Sequence, residues 1–220
     1  MTGPGHVEPG GAPLVGQLPG GATLVKVSVG PMDNNAYLLS ADGDSVLIDA
    51  ANDDERLLAL IGDAPVSTIV TTHRHGDHIQ ALADVAEATG ARLVAGHPDL
   101  ESIERDAGVS GVTGVWDGDT VPLGETSLEV VGLVGHTPGS ITLVYAPAGG
   151  PVHLFTGDSL FPGGPGKTWR AADFTSLMDD IEAKLFDRFG DDTVVHPGHG
   201  DDTTLGVERP QLDAWRARGW

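Results

Sequence analysis

The chain has 220 residues, of which 40% are hydrophobic and 20% charged, the composition of an ordinary globular α/β or sandwich domain. Its 12 Lys and Arg residues against 32 Asp and Glu residues give a formal net charge of −20, so we expect neither a nucleic-acid partner nor a membrane partner. The chain contains no cysteine, so any metal site must be built from histidine and carboxylate side chains. We find no bilayer-spanning apolar run and no secretory signal, and therefore expect a cytoplasmic location.

The first 21 residues are rich in glycine and proline and have no hydrophobic period, which predicts a flexible N-terminal tail over residues 1–21. A single domain over residues 22–220 is expected to follow. Its first half alternates short β-branched segments with amphipathic ones. Strands are predicted over residues 24–29, 36–39, 45–49, 66–71 and 91–95, and helices over residues 53–61, 77–89 and 98–105.

The second half follows a similar order, with strands first and helices later. Strands are predicted over residues 126–133, 140–145, 152–156 and 193–196, and helices over residues 174–189 and 207–218. Two groups of strands, each followed by helices, indicate two packed sheets with helices outside. The predicted fold is α/β, a four-layer αββα sandwich.

The strongest local feature is the run T-H-R-H-G-D-H over residues 72–78, where a predicted strand ends and a helix begins. In extended backbone, residues two apart face the same side, so His73 and His75 could bind one ion. Gly76 allows a reversal that brings Asp77 and His78 to the same cavity. Asp77 could instead be a simple helix cap, but a cap does not explain three neighbouring histidines.

Three further candidate metal ligands follow predicted strands. His136 lies in G-H-T-P-G-S, Asp158 in T-G-D-S-L-F, and His199 in H-P-G-H-G. Each segment alone is weak evidence for a metal site, because turns rich in Gly, Pro and Asp are common. Together they place His and Asp side chains at successive strand ends, where functional sites collect.

The motifs T-H-x-H-x-D-H, G-H-T-P-G-S, G-D-S-L-F and P-G-H-G, in this order, resemble the metallo-β-lactamase fold superfamily. Within it they are most similar to the hydroxyacylglutathione hydrolase (glyoxalase II-like) branch, and the resemblance extends over about residues 23–205. It implies that one metal is held by His73, His75 and His136, and a second by Asp77, His78 and His199, with Asp158 bridging the two. Asp49 matches an aspartate that supports the metal loop, although a strand-end turn residue is the alternative.

The resemblance implies a hydrolase with two divalent metal ions, for which Zn is favoured and Fe or Mn is possible. A hydroxide bound between the metals would attack a thioester or a related ester, with Asp77 and Asp158 as catalytic carboxylates. β-Lactam hydrolysis is not expected, because the best-known lactamase subclass uses a Cys ligand near the position of Asp158.

The substrate is expected to be a small thioester or ester, and the cationic loop at residues 167–170 favours an anionic one. Residues 164–169, G-P-G-K-T-W, resemble the family's G-x-G-K-x-Y stretch, which grips the glutathione carboxylate, and Arg170 follows directly. This implies substrate contacts by Lys167, Trp169 and Arg170; the alternative is an exposed basic loop whose tryptophan packs on the sandwich. Only 21 residues (220 − 199) follow His199, and the branch's tyrosine after P-G-H is absent, so the carrier thiol is left open.

Three other functions remain open at this point. A mononuclear iron persulfide dioxygenase would use counterparts of His73, His136 and Asp158, but its G-R-T-D-F run is represented here only by G-K-T-W. A lactonase would keep two metals and open homoserine lactones. A non-catalytic metal-binding protein would show no hydrolytic rate that depends on the metal ligands.

Overall fold

The computed structural model describes residues 5–219, in which two mixed β-sheets pack face to face. The first sheet has seven strands in chain order: β1 (Leu14–Gln17), β2 (Thr23–Val29), β3 (Asn34–Ala41), β4 (Asp44–Ile48), β5 (Val66–Thr71), β6 (Arg92–Gly96) and β7 (Thr113–Val115). The second has the order β15-β14-β11-β10-β9-β8, from β8 (Thr120–Leu123), β9 (Thr126–Gly132), β10 (Ile141–Tyr145), β11 (His153–Gly157), β14 (Val194–Pro197) and β15 (Thr203–Thr204). A small hairpin, β12 (Leu160–Phe161) with β13 (Gly164–Pro165), interrupts the second sheet's chain order.

Helices cover the outer face of each sheet. They are α1 (Asp54–Ile61), α2 (Leu82–Thr89), α3 (Leu100–Ala107), α4 (Ala171–Ile181), α5 (Leu205–Glu208) and α6 (Leu212–Arg218), and a π-helical turn (Glu182–Phe186) extends α4. Helix α1 has ordinary signals at both ends: it starts after Asp53, whose carboxylate accepts a hydrogen bond from the Arg56 backbone, and stops at Gly62. Within residues 5–219, none of the helices has the length and apolarity to cross a membrane.

Three hydrophobic clusters explain the layering. One lies between the sheets and includes Leu39 and Ile48 from the first and Leu143 and Phe155 from the second. Two outer clusters join α1, α2 and α3 to the first sheet, and α4, the π-helical turn, α5 and α6 to the second. Because each sheet is covered on both faces, inner strands such as β5, β6 and β10 are buried along nearly their whole length. The predicted four-layer αββα sandwich is confirmed.

Two of the sequence-based expectations about secondary structure need correction at the termini. Residues 1–21 are not a tail without regular structure, because Leu14–Gln17 pairs antiparallel with β2; residues 1–4 lie outside the described part. Leu14 and Val15 are 46% and 62% exposed, so this edge strand has no buried face to give a hydrophobic pattern. The terminal helix predicted over residues 207–218 is split into α5 and α6 by a 3₁₀ turn at Arg209–Gln211, which contains Pro210.

The helix predicted over residues 77–89 is also interrupted. A 3₁₀ turn at Gly76–His78 comes first, and α2 begins only at Leu82. Between them, the backbone N–H groups of Gln80 and Ala81 donate hydrogen bonds to the carbonyls of residues 51 and 50, which follow the end of β4. These hydrogen bonds to a distant segment of the same chain replace helical hydrogen bonds. They attach the histidine-rich loop to the first sheet.

Candidate metal centre

The loop after β5 brings His73 and His75 side by side. Val66–Thr71 is a buried β-branched strand between β4 and β6, and the chain leaves it still extended, with His75 at φ −67° and ψ 142°. The Nε2 atom of His73 lies 3.1 Å from Nδ1 of His75. Two ligands of one tetrahedral zinc ion, each at about 2.0–2.1 Å from it, are separated by roughly 3.3 Å. The pair therefore has the spacing of two ligands on one ion.

His136 completes this first group from the second sheet. It follows β9, and its Nδ1 donates a hydrogen bond to the Lys167 carbonyl at 2.7 Å, which turns Nε2 toward the cluster. That Nε2 is buried and has no hydrogen-bond partner among the described residues. One ligand atom each from His73, His75 and His136 lies within 4.8 Å of the others. An orphaned buried nitrogen facing two imidazoles fits a bound cation.

Asp77, His78 and His199 form a second group beside the first. The His78 and His199 Nε2 atoms are 3.2 Å apart, and His199 Nε2 lies 3.3 Å from Oδ2 of Asp77. His199 donates through Nδ1 to the Met32 carbonyl, and Asn34 donates to Asp77 at 3.0 Å, so both side chains are held in place. The three ligand atoms again lie within 4.8 Å of one another.

Asp158 lies between the two groups, at the turn that ends β11. Its Oδ1 is 3.3 Å from His78 Nε2, while its Oδ2 is 3.5 Å from His136 Nε2 and 3.4 Å from His199 Nε2. The two oxygens of one carboxylate therefore face both histidine groups, which is the geometry of a bridging ligand.

Asp49 orients His78 from behind the cluster. This carboxylate is 2% exposed and accepts hydrogen bonds from the Thr72 backbone at 2.7 Å and the Thr72 hydroxyl at 2.8 Å. It lies 2.9 Å from His78 Nδ1, which donates to it and leaves Nε2 directed at Asp77 and Asp158. A carboxylate behind an imidazole is the usual arrangement for a metal-binding histidine.

The two groups differ electrostatically. Burial lowers the pKa of His73 and His136 and lowers that of His75 to about 4, so these imidazoles are neutral at pH 7, the form that binds metal. Burial also disfavours charge on His199, but its hydrogen bonds to Asp158 and Asp77 prevail and raise its pKa to about 10. The hydrogen bond with His199 is the main reason that the pKa of Asp77 falls to about 2. The carboxylates of Asp77 and Asp158 therefore stabilise a positive charge between them, whether a proton on His199 or a cation in its place.

At two glycines of the motifs, neighbouring atoms lie too close to the backbone for any other residue to fit. A Cβ at Gly198 would lie 2.2 Å from Oδ1 of Asp158 and 2.7 Å from Cε1 of His78. A Cβ at Gly166 would lie 1.7 Å from the Asp158 carbonyl oxygen. Any side chain at either position would displace the groups around Asp158.

The residues expected to contact substrate lie at the edge of the first group. Trp169 is 62% exposed, and its ring centroid is 5.6 Å from that of His75 and 5.9 Å from that of His136, so it covers the histidines instead of packing on the sandwich. The Lys167 ammonium lies 5.9 Å from the Trp169 ring centroid. Arg170 lines a cavity of about 330 Å³ that also reaches His136, Trp169 and Arg74.

Sequence reasoning missed Asp99, a fully buried carboxylate that joins the loop after β5 to the loop after β9. It accepts hydrogen bonds from the Arg74 backbone at 3.1 Å, from the Thr137 hydroxyl at 2.6 Å and from the Gly139 backbone at 3.1 Å. In the sequence it follows His97-Pro98 and resembles only a helix-start residue. Asn34, the partner of Asp77, carried no signal either.

Among curated proteins, the chain is similar to enzymes named hydroxyacylglutathione hydrolase. It is 34% identical over 168 residues to one from Anaeromyxobacter dehalogenans, covering 76% of this chain but only 61% of that protein. It is 28% identical over 193 residues to hydroxyacylglutathione hydrolase GloC of Haemophilus influenzae, covering 80% of this chain and 89% of that protein. The chain therefore spans less than two thirds of the first relative but most of the second.

Comparison with solved structures and with family profiles places the chain in the same group of proteins. A solved structure described as TTHA1623 in a di-iron-bound form has a TM-score of 0.69 and 32% identity, covering 84% of this chain and 96% of that one. The profile of the metallo-beta-lactamase superfamily matches residues 29–199, which include all seven clustered side chains. The chain belongs to the metallo-beta-lactamase superfamily.

Proposed function

We propose that this protein is a dinuclear-metal hydrolase that cleaves a thioester or a related ester. The observation that carries the proposal is the meeting of seven His and Asp side chains in two adjoining groups, with Asp158 facing both. Such an arrangement suits two neighbouring divalent ions and is more elaborate than a single structural metal requires.

In this proposal His73, His75 and His136 hold one ion, Asp77, His78 and His199 hold the other, and Asp158 bridges them. The donor atoms are imidazole nitrogens and carboxylate oxygens, which suit Zn²⁺ first, and also Fe or Mn²⁺. Bound ions would activate water for attack on the acyl carbon and stabilise the charge that develops on the acyl oxygen. The di-iron form of a structural relative supports two ions in this fold.

The remaining chemistry belongs to the chain's own side chains. The pKa of Asp77 is about 2 and that of Asp158 is held well below its usual range by nearby His78 and His199 despite burial, so both carboxylates stay ionised at neutral pH. As catalytic carboxylates they would stay ionised and orient the attacking water by accepting a hydrogen bond from it, while the proton that the water loses would pass to solvent. Asp49 fixes the His78 ring so that its Nε2 remains available.

The substrate is proposed to be a small and anionic thioester. Trp169 offers an exposed aromatic face beside His75 and His136, and Lys167 and Arg170 place positive charge at the same edge of an otherwise acidic protein. The relative of similar length is itself named hydroxyacylglutathione hydrolase. The short stretch after His199 therefore does not argue against a glutathione thioester, and we include one among the candidate substrates.

The test begins with elemental analysis of protein purified without added metal. The same preparation is then assayed for thiol release from S-acyl glutathione and other S-acyl thiols, with aryl esters, homoserine lactones and a β-lactam for comparison. We expect two metals per chain and thiol release that falls at least a hundredfold in His75→Ala and Asp158→Ala. The exposed His97 lies outside the cluster, so His97→Ala is the matched control.

Three results would contradict the proposal, each in a different way. One iron per chain with oxygen consumption on a persulfide would identify a dioxygenase. Ring opening of lactones without thiol release would identify a lactonase. Metal binding with hydrolysis rates that are unchanged in both ligand variants would identify a non-catalytic metal protein.

A further inference from the structure

A buried charged cluster lies behind the metal centre and takes no part in the proposed chemistry. Lys26 lies in the middle of β2, the second strand from one edge of the first sheet, yet it is only 1% exposed. Its ammonium donates to the Asp202 carboxylate at 2.8 Å and to the Gly200 carbonyl at 2.6 Å. A buried lysine is costly unless it is paired, and here both partners lie on the segment that follows β14 of the other sheet.

The cluster extends from Asp202 into the second sheet. The other oxygen of Asp202 lies 3.1 Å from Nδ1 of His196, whose Nε2 lies 3.0 Å from Nδ1 of His153. The His196 ring lies edge to edge with His153, nearly coplanar at an interplanar angle of 5°, and stacks on Phe155 at a centroid distance of 4.9 Å. The carboxylate that holds Lys26 is therefore fixed by packed rings.

The first sheet holds the loop over residues 197–200 by several hydrogen bonds. Asn35 donates from its backbone to the Gly198 carbonyl and from its side chain to the carbonyls of Pro197 and Gly200. The Tyr37 hydroxyl donates to the Pro197 carbonyl at 2.7 Å. With the Lys26 bond, these contacts fix the backbone on both sides of residue 199, the ligand this loop supplies.

We propose that Lys26 is a positioning residue for the second metal ion, acting through the Gly200 carbonyl on His199. The inference rests on the proposed dinuclear function. Asp77 and His78 come from the loop after β5, so His199 must be brought to them from the other sheet. The group formed by His73, His75 and His136 takes no ligand from residues 197–200. Loss of the Lys26 contact should therefore weaken one metal site and spare the other.

The competing explanation is that Lys26 and Asp202 form only a structural ion pair. Lys26→Met alone would leave Asp202 charged and buried, which could unfold the chain. The test variant is therefore Lys26→Met with Asp202→Asn, which removes both charges together with the bond to Gly200. Val121→Ala, on β8 at the opposite edge of the second sheet, is a control for core destabilisation alone.

Metal-free protein is titrated with Zn²⁺ alone and with Co²⁺ alone, with binding followed by calorimetry and by the Co²⁺ absorption spectrum, and folding checked by circular dichroism. We expect wild type and Val121→Ala to bind two equivalents. The folded double variant should bind the first equivalent within threefold of wild type and the second at least tenfold more weakly. If the double variant is unfolded, Lys26→Gln decides instead, because its amide nitrogen is one bond nearer the backbone than the ammonium and no charge is left to hold the Gly200 carbonyl; a threefold or larger loss at the second equivalent is expected.

Unchanged affinity for both equivalents in the folded double variant, or equal weakening of both, would overturn the inference while leaving the dinuclear function intact. If the double variant is unfolded, an unchanged second equivalent in Lys26→Gln would overturn it equally. A wild-type protein that takes up no metal would refute the proposed function itself.

Discussion

Asp99 is the residue whose replacement tests most directly how the loops after β5 and β9 are held together. Its carboxylate is fully buried and accepts hydrogen bonds from Arg74 on one loop and from Thr137 and Gly139 on the other. The Arg74 guanidinium adds an ion pair, with Nε 3.7 Å from Oδ1. Asp99→Ala would leave three buried or half-buried donors without their acceptor.

The magnitude follows from these contacts. A hydrogen bond to a charged group contributes about 1.5–3 kcal/mol, and a donor left buried without a partner costs about 1–3 kcal/mol. These values do not add fully within one network, so we expect Asp99→Ala to lower the free energy of unfolding by about 3–5 kcal/mol. That is a large part of the roughly 5–15 kcal/mol typical of a domain. Asp99→Asn keeps one acceptor oxygen and should cost less, about 2 kcal/mol.

The assay is urea unfolding of metal-free protein at 25 °C, followed by circular dichroism. The midpoint should fall with an unchanged dependence on urea concentration, because the exposed area on unfolding stays the same. Asp106→Asn, at an exposed aspartate paired with Arg105, is the control and should change stability by less than about 0.5 kcal/mol. An Asp99→Ala protein as stable as this control would refute the conclusion that Asp99 holds the two loops together.

Other replacements test the site and the buried cluster behind it. Gly198→Ala places a methyl group 2.2 Å from Asp158 Oδ1 and should reduce metal uptake at least tenfold by elemental analysis, whereas Gly76→Ala, where a Cβ meets no described atom within 4 Å, should not. Burial lowers the pKa of His153 from 6.5 to about 4, so the unfolded chain binds a proton at this residue before the folded chain does as pH falls. The free energy of unfolding should therefore decline from pH 6.5 to 4, by at most about 1.4 kcal/mol per pH unit. His153→Phe should remove that contribution in urea titrations at each pH. Trp169→Ala should raise KM for an anionic thioester about tenfold while metal content stays at two per chain; an unchanged KM would remove Trp169 from the substrate site.

The sequence predicted the architecture and the meeting of the ligand-bearing loops, because both depend on local patterns. Each buried strand shows as an apolar run, and His73, Asp158 and His199 follow such runs directly. What it did not reveal was the support around them. Asn34 contacts Asp77 two strands away in the same sheet, and Asp99 contacts Thr137 from the other sheet. A contact between residues far apart in the chain leaves no mark on the residues next to either.

The same limit explains the errors in secondary structure. The edge strand Leu14–Gln17 is defined by its pairing with β2 and not by a buried face of its own. The predicted helix over residues 77–89 is broken because the N–H groups of Gln80 and Ala81 find carbonyls in another segment. In each case a long-range hydrogen bond overrides the local preference.

The division of the seven clustered side chains between the two sheets has a consequence for biosynthesis. Four of them follow β5 in the first half of the chain, and the other three arise from the second half. A nascent or truncated chain that ends before His136 therefore carries an incomplete set from either group. Tight metal capture would be delayed until the two halves have docked, so a partly synthesised chain would carry no complete metal site.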